Sequence, residues 1–478
     1  MYDVAIIGAG VIGCCTAREL ARFCLRAVVI DKEHDVSCGA SRANSGIVHA
    51  GYDAKPGTLK ARYNVLGQRM FDKLALELDF PYARNGSLVV EFDEEGYKTL
   101  EALMAQGITN GITNMSILSG DELRKLEPNL SDEIYAALLV PDGGIVCPYE
   151  MTIALAENAA NNGVDFLLDN QVTDIKKKDD VFYIKTSEAA IQAKVVINAA
   201  GVYSDEINNF LSRQKLKIVP RLGEYILFDK SEAGLINRTV FQLPTKMGKG
   251  VLIMPTTHGN ILVGPTSKDI DDKDNTSTTA EGFDTISQRA RLSLKQLPQG
   301  KNITSFAGLR AHLEMGDFLI EEAKDVPGLI NLCGIASPGL TAAPAIGEWA
   351  ASKAAKILTA APNKGFDPIR KKIKPFASMS NEERAEAIKN DPSYGSIICR
   401  CESVSKAEII AALRSPIKAH SLEAIKRRTR AGMGRCQGGF CWMRLIDIIA
   451  DECKIDVTEV TKSGRNTNIL IERNKSGY

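Results

Sequence analysis

The sequence predicts an α/β chain: a Rossmann-like dinucleotide-binding domain with an inserted, mainly antiparallel β domain, followed by a small helical C-terminal domain. Three observations predict it. A glycine triplet, Gly8, Gly10 and Gly13, lies between an apolar strand pattern and a helix pattern. β-rich runs separated by turn residues occupy the stretch from about Leu216 to Gly264. Two tight cysteine pairs, Cys399 with Cys401 and Cys436 with Cys441, follow a Pro- and charge-rich stretch.

A chain of 478 residues with 44% hydrophobic side chains is too long for one ordinary core, so two or three domains are expected. Lys+Arg and Asp+Glu are equal at 59 each, which leaves no electrostatic footprint for a polyanion and argues against nucleic-acid binding. No apolar run reaches the roughly 20 residues that a membrane helix needs, and the N-terminus lacks a basic leader region. The eleven cysteines suit a reducing compartment with a subset used for metal, so a soluble, unprocessed, cytoplasmic protein is expected, with peripheral membrane attachment left open. Cys14, Cys15, Cys24 and Cys333 read as small buried apolar residues.

Along the chain, "YDVAIIGAGVIGCCTARELARFCLRAVVIDKE" reads as strand, glycine turn, helix, and a second strand over Ala27 to Ile30 that closes on an acid. The three glycines serve different physical ends: one permits the tight turn, one lets backbone approach a pyrophosphate, and one lets helix pack on strand. The helix N-terminus then faces the phosphates. Asp31, eighteen residues after Gly13, is placed to accept from a ribose hydroxyl, with Glu33 the weaker candidate. The triplet does not choose between NAD and FAD.

Further on, "AKVVINAAGVYSDEI" is a strand entering a small-residue turn, "GVLIMPTTHGNILVGPT" a hairpin turning at His258 to Asn260, and "KDIDDKDNTSTT" a solvated loop. The segment "GLINLCGIASPGLTAAPAIGEWAASKAAKIL" returns to a strand, a Gly- and Pro-bearing turn and a long small-residue helix. These patterns divide the chain into a redox region over 1–360, with its inserted substrate domain at about 75–150 and 205–320, a linker over 361–395, a cysteine domain over 396–460 and a tail over 461–478.

C-x-C, thirty-four residues and C-x4-C can make a tetrahedral thiolate site for zinc or an iron–sulfur cluster. Ser405 and Glu408 form a capping box opening "KAEIIAALR", and Cys441 directly precedes the helix pattern "WMRLIDIIADEC", where thiolates are stabilised. Glycines 432, 434, 438 and 439 let backbone wrap a bulky group, and Lys426, Arg427, Arg428, Arg430 and Arg435 are expected to offset its negative charge. Cys453 is a bystander on the following helix.

The segment "CGASRANSGIVHAGYDAKPGTLKARYN" resembles the flavin-contacting segment of the D-amino-acid-oxidase superfamily, with Ser41, Arg42, Asn44, Ser45, Gly46 and His49 carrying the likeness. "VVINAAGVYSD", with Ala199, Ala200 and Gly201, resembles its adenosine-side contact, and "CGIASPGLTAAPAIG", with Gly334, Gly339, Leu340 and Thr341, its closing flavin turn. The resemblance implies noncovalent FAD, with backbone N–H groups of Gly339 to Thr341 and a helix N-terminus at the flavin N1/O2 edge. The spacing and the "GRCQGGFC" turn resemble the bacterioferritin-associated-ferredoxin type of domain, which implies a [2Fe-2S] cluster on Cys399, Cys401, Cys436 and Cys441.

The whole chain resembles FAD-dependent glycerol-3-phosphate dehydrogenases of the anaerobic type, and its N-terminal part also resembles L-2-hydroxyglutarate dehydrogenases. Both resemblances imply oxidation of a secondary alcohol beside an anionic group, by hydride transfer to flavin N5. The cluster then conducts electrons to a partner, a second flavoprotein or another acceptor subunit; an oxidase using dioxygen would not need it. Arg310 matches the family's substrate-phosphate arginine, and Lys249 is a second positive contact. Of the five histidines, His34, His49, His258, His312 and His420, the candidate base is His49, while His258 reads as a polar turn residue. Where glycerol-phosphate enzymes carry an R-G-S-H segment this chain has "RLGEY", placing Glu224 and Tyr225 there, and Tyr225 is kept as a polar substrate contact. Where hydroxyglutarate enzymes have G-V-H, Leu252 stands at the histidine position. The reading from another class is a non-catalytic electron-transfer or iron-handling subunit, separated from the others by whether any small hydroxy compound reduces the flavin.

Overall fold

The computed structural model describes residues 1–243 and 250–472. Two large sheets organise the redox region. The first has eight strands, with Tyr2–Ile7 at its centre, parallel to Ala27–Ile30 on one side and Ala190–Asn198 on the other. Val4, Ala5, Ile6, Val28, Val29 and Ile30 are fully buried, as strands covered on both faces require. Helices Val11–Leu20, Pro148–Asn161 and Gly339–Leu358 pack together on one face. The small-residue pattern of the last has a reason: a Cβ at Gly347 would lie 2.8 Å from Cys15, so only glycine lets these two helices meet.

The second sheet has nine strands and builds the β region. Its longest pairing runs antiparallel between Ile218–Phe228 and Asn302–Leu313, in a register that sets Tyr225 opposite Phe306, Gly223 opposite Gly308 and Arg221 opposite Arg310. Directly paired residues share a sheet face, so Tyr225 and Arg310 project to the same side. The expected hairpin forms between Leu252–Pro255 and Ile261–Gly264. A third, three-stranded sheet joins Ile47–Val48, Gly144–Val146 and Tyr82–Ala83 and links the two regions.

Residues 361–375 do not behave as a free linker. Asn363 N–H donates to Arg22 O at 2.7 Å, Asn158 donates to Asp367 O at 3.1 Å, and Arg370 pairs with Glu157 at 2.6 Å. A capped ten-residue helix, Asn381–Asn390, follows. The C-terminal domain is a short hairpin, Ile397–Cys399 with Val404–Ser405, and helices Lys406–Leu413, Leu422–Thr429 and Trp442–Cys453 around Ile409, Leu422, Ile425, Leu445 and Ile449. The Ser405/Glu408 capping box forms as the sequence predicts. The first residues of the tail are attached: Leu422 N–H donates to Thr461 O at 3.2 Å, and Arg465 pairs with Glu188 at 2.6 Å.

His258, at the hairpin tip, is more than a polar turn residue. Its Nε2 lies 2.9 Å from Glu150, which also holds Lys372 at 3.1 Å, so one buried carboxylate ties hairpin, helix and strap together. Burial alone would raise the Glu150 carboxyl, but the His258 hydrogen bond and the Lys372 charge hold it at about 2; burial lowers His258 despite Glu150. Both folded values lie below the unfolded ones of 4.5 and 6.5, so both groups stabilise at high pH and lose that contribution as pH falls. The thermal midpoint is expected to decline below about pH 6.5 and more steeply below about 4.5. His258→Gln should flatten the upper part of that decline, and identical slopes for the two proteins would contradict the assignment.

Candidate active site

The ends of the central parallel strands and the inner face of the β region enclose a cavity of about 590 Å³, within the range for small-molecule sites. At one end are Gly8, Gly10, Asp31 and Glu33, with Ala199, Ala200 and Gly201 opposite. Ser41, Arg42, Asn44, Ser45, His49, Tyr225, Phe241, Arg310, Gly339 and Leu340 line it as well.

The glycine turn is built as a cradle. A Cβ at Gly8, where φ is +111°, would lie 2.3 Å from Ala199 O, and one at Gly13 would lie 1.9 Å from Gly8 O. Gly10 caps the helix Val11–Leu20 without any side-chain hydrogen bond, leaving backbone N–H groups directed at the cavity. Ser41 Oγ accepts from Val11 N–H at 2.8 Å, which anchors the flavin-like segment to that helix. Asp31 accepts from Ala9 N–H at 2.5 Å and from Glu33 N–H at 2.9 Å, while burial raises its carboxyl to about 6. It therefore braces the turn as well as lining the cavity, and Glu33 lines the cavity beside it. Gly8→Ala is expected to lose FAD and melt earlier, at about 1–3 kcal/mol for the backbone conformation alone. A flavin-loaded Gly8→Ala protein with an unchanged melting temperature would contradict the cradle.

Three expected contact residues lie behind the wall. Thr341 is fully buried; its hydroxyl accepts from His49 N–H at 2.9 Å and donates to Ile47 O at 3.3 Å, so it positions His49. Gly46 is needed for close approach to Val146 O, 2.4 Å from where its Cβ would sit, and Gly334 packs against Leu313. Gly339 and Leu340, at the start of helix Gly339–Leu358, do face the cavity.

Among these lining residues Arg310 is half-buried. Its Nη2 donates to Thr266 O at 2.8 Å and Leu222 O at 3.3 Å, and it makes no ion pair among the described residues. Burial lowers its pKa. The remaining guanidinium donors form the fork for an anion. Tyr225 stacks on Phe306 at 5.0 Å, hydrogen-bonds Ser45, and is raised by burial. The His49 ring lies 5.9 Å from that of Phe241. Glu224, the next residue in "RLGEY", points the other way and accepts from Thr279 N–H at 2.5 Å, at the start of helix Ala280–Ser293. Lys249 lies outside the described residues.

Sequence reasoning missed several parts of this site. A Cβ at Gly308 would lie 1.9 Å from Ala43 O, and one at Gly223 2.7 Å from Arg310 Nη2; these glycines make room for the flavin-like segment and for the guanidinium. "KDIDDKDNTSTT" is not simply a solvated loop. Lys273 and Asp274 line the cavity, Asp274 pairs with Lys32 at 3.1 Å and bonds the Tyr203 hydroxyl, and Lys273 pairs with Asp205 and Glu206 at 2.7 Å each. Cys24 is exposed, unlike Cys14, Cys15 and Cys333; it lies in the connection between helix Val11–Leu20 and strand Ala27–Ile30 rather than within either element.

The four C-terminal thiols converge. Cys401 Sγ is 3.8 Å from Cys436 Sγ, and Cys399 accepts from Cys441 and from the backbone N–H groups of Gly432 and Glu402. The Cys441 hydrogen bond is the main cause that brings Cys399 down to about 6, while Cys441 is pushed up. N–H groups aimed at sulfur, and a backbone so close that a Cβ at Gly434 would lie 2.3 Å from that of Cys401, suit thiolates around a compact cluster. The basic run serves a different end from the expected charge offset. Arg427 and Arg428 clamp Asp35 at 2.6 and 2.8 Å, Arg435 pairs with Asp229, Arg430 with Glu402 and Lys426 with Glu423. Three of these arginines dock the domain on the redox region.

The profile of FAD dependent oxidoreductases matches residues 3–353, and that of the BFD-like [2Fe-2S] binding domain matches residues 397–451. A glycerol 3-phosphate dehydrogenase of Caloramator mitchellensis is 49% identical over 477 residues, covering 100% of this chain and 99% of the relative. A glycerol 3-phosphate oxidase of Mycoplasma pneumoniae is 35% identical over 72% of this chain and 92% of its own length. The FAD-bound, dithionite-reduced structure of L-alpha-glycerophosphate oxidase from Mycoplasma pneumoniae superposes with a TM-score of 0.73 at 32% identity, covering 78% of this chain and 99% of that one. The chain is thus an enzyme of the FAD dependent oxidoreductase family, with FAD and a [2Fe-2S] cluster as its cofactors.

Proposed function

We propose that the protein is a cytoplasmic dehydrogenase that oxidises sn-glycerol 3-phosphate to dihydroxyacetone phosphate and passes the electrons through the [2Fe-2S] cluster to a partner protein. The observation that carries this reading is Arg310, a half-buried guanidinium that lines the cavity and has no carboxylate partner among the described residues. The full-length similarity to a glycerol 3-phosphate dehydrogenase supports the same substrate. No helix among the described residues is long and apolar enough to cross a membrane, and all eleven cysteines are free.

Arg310 holds the phosphate in its fork and thereby orients the rest of the substrate. Tyr225, held by Ser45 and Phe306, offers a hydroxyl beside it. His49, positioned through its backbone by Thr341, accepts the proton of the C2 hydroxyl at an imidazole nitrogen. When bound, FAD supplies the two-electron acceptor for the C2 hydrogen and the cluster supplies a one-electron exit. Gly8, Gly10 and the helix N-terminus would hold the pyrophosphate of FAD, Asp31 and Glu33 would accept from its ribose, and Cys399, Cys401, Cys436 and Cys441 would hold the cluster.

The guanidinium fork suits a carboxylate as well, so L-2-hydroxyglutarate is the competing substrate. Anaerobic titration with each compound, following flavin and cluster absorbance separately, decides. Bleaching of the flavin by glycerol 3-phosphate, with electrons reaching the cluster, is expected. If neither compound bleaches a flavin that dithionite reduces, the substrate assignment fails and a non-catalytic electron-transfer subunit replaces it.

A further inference from the structure

We infer that the surface formed by Phe440, Met443, Arg400 and Arg444 docks an acidic one-electron carrier protein, which takes electrons from the cluster singly. The inference rests on the reading that electrons leave through the cluster. The thiols are unevenly placed: Cys399 and Cys441 are each 2% exposed, whereas Cys401 is exposed and Cys436 half-buried. The cluster site therefore has one open edge. Phe440, between Gly439 and Cys441, is 86% exposed, and Met443, three residues on, is 56% exposed.

Phe440 does not stand out by chance of a loose loop. Gln437 and Gly438 both have positive φ, and a Cβ at Gly438 would lie 2.1 Å from Trp442 Nε1, so the turn is folded tightly onto the helix that follows. Leaving a rigid phenyl ring in water forgoes its burial, which a partner's pocket would recover. A protruding ring with a thioether at its side is a shape for a protein surface rather than for a small molecule, which needs a concavity.

Charge names the kind of partner. Arg400, between two cluster cysteines, and Arg444, four residues after Phe440, are exposed and make no ion pair among the described residues. Arg427, Arg428, Arg430 and Arg435 are all neutralised by carboxylates of this chain. Asp447 and Asp451, about one and two turns beyond Arg444, are the exposed acids of the same helix, and both lie further along it from Cys441 than Arg444 does. The open edge therefore presents an apolar anchor flanked by unpaired positive charge, complementary to an acidic rim. Each encounter moves one electron: the reduced cluster is oxidised and the carrier reduced, so two carriers are consumed per alcohol oxidised. Such transient complexes are small and their rates fall with salt.

The test uses the full-length holoenzyme, reduced by a measured amount of dithionite, with soluble cytochrome b5 as acidic probe and cytochrome c as basic probe. Wild-type protein is expected to reduce cytochrome b5 faster than cytochrome c, with the cytochrome b5 rate falling about tenfold as salt is raised. Phe440→Ser and Arg444→Glu are each expected to slow cytochrome b5 reduction by about tenfold while flavin and cluster absorbance stay unchanged. Equal rates for variants and wild type, or a preference for cytochrome c, would overturn the proposal. Loss of self-association in Phe440→Ser, read by sedimentation, would instead make the face an interface between copies of this chain and would also overturn it. Because the electrons are supplied chemically, failure of glycerol 3-phosphate to reduce the flavin leaves this result readable.

Discussion

Arg310→Ala is expected to lower kcat/KM for glycerol 3-phosphate by about three orders of magnitude, or ~4 kcal/mol, the scale of losing one hydrogen-bonded charge from an ionic contact. The site makes this residue hard to replace. Arg310 stands opposite Arg221 in the strand register, but Arg221 is neutralised by Asp269 at 2.5 Å, whereas among the described residues Arg310 is held by two carbonyl oxygens and no carboxylate. Its free donors are thus the charge left for the substrate. Arg310→Lys keeps the charge but loses the fork, so it should recover only part of the activity and mainly raise KM. Steady-state kinetics on variants of matched flavin content would measure both effects. An Arg310→Ala enzyme within about threefold of wild type would remove the anion anchor from the mechanism.

Asp35→Ala is the second large effect, and it acts on docking rather than on substrate. Asp35, Arg427 and Arg428 are all nearly inaccessible, with side-chain exposures of 1%, 3% and 4%. Burial would raise the Asp35 carboxyl, but Arg428 and then Arg427 hold it well below the usual carboxylate range, so the clamp stays charged at any working pH. Deleting the carboxylate strands two buried guanidinium groups, at a cost of about 3–5 kcal/mol. Arg427 also lies 3.6 Å from the Cys38 thiol, which lines the cavity, so the clamp sits on the loop that leads into the flavin-like segment. The variant should melt earlier and become sensitive to protease near residues 361–395. Substrate should still bleach the flavin while electron arrival at the cluster slows. Unchanged melting and unchanged cluster reduction would show that the clamp does not hold the domain in place.

Much of this was legible in the residues because it is local. The strand–glycine–helix–strand unit depends on neighbours within about thirty residues, and strand Ala27–Ile30 forms where its pattern places it. The Ser405/Glu408 box is a three-residue affair, and it forms. The cysteine spacing named four thiols, and the fold brings them together. The misreadings share a cause. Whether the run Lys426 to Arg435 offsets the charge of a cluster or pairs with carboxylates is settled by Asp35 and Asp229, hundreds of residues away in the chain. Whether residues 268–279 float or close a cavity is settled by Lys32, Tyr203 and Asp205.

The sequence by itself therefore determined the fold class, a dinucleotide site and a four-thiol site, since turns, caps and ligand spacings are written in adjacent residues, while FAD and the [2Fe-2S] cluster followed from its resemblance to known families. Only the tertiary structure decided that His49, Tyr225, Phe241 and Arg310 line one cavity. Their meeting depends on the register between Ile218–Phe228 and Asn302–Leu313, where a slip of one residue would turn Arg310 or Tyr225 to the other face of the sheet. That register is set by packing across the whole β region, by Gly308 against Ala43 and by the stacking of Tyr225 on Phe306. Long-range packing of this kind has no signature in any short stretch of sequence.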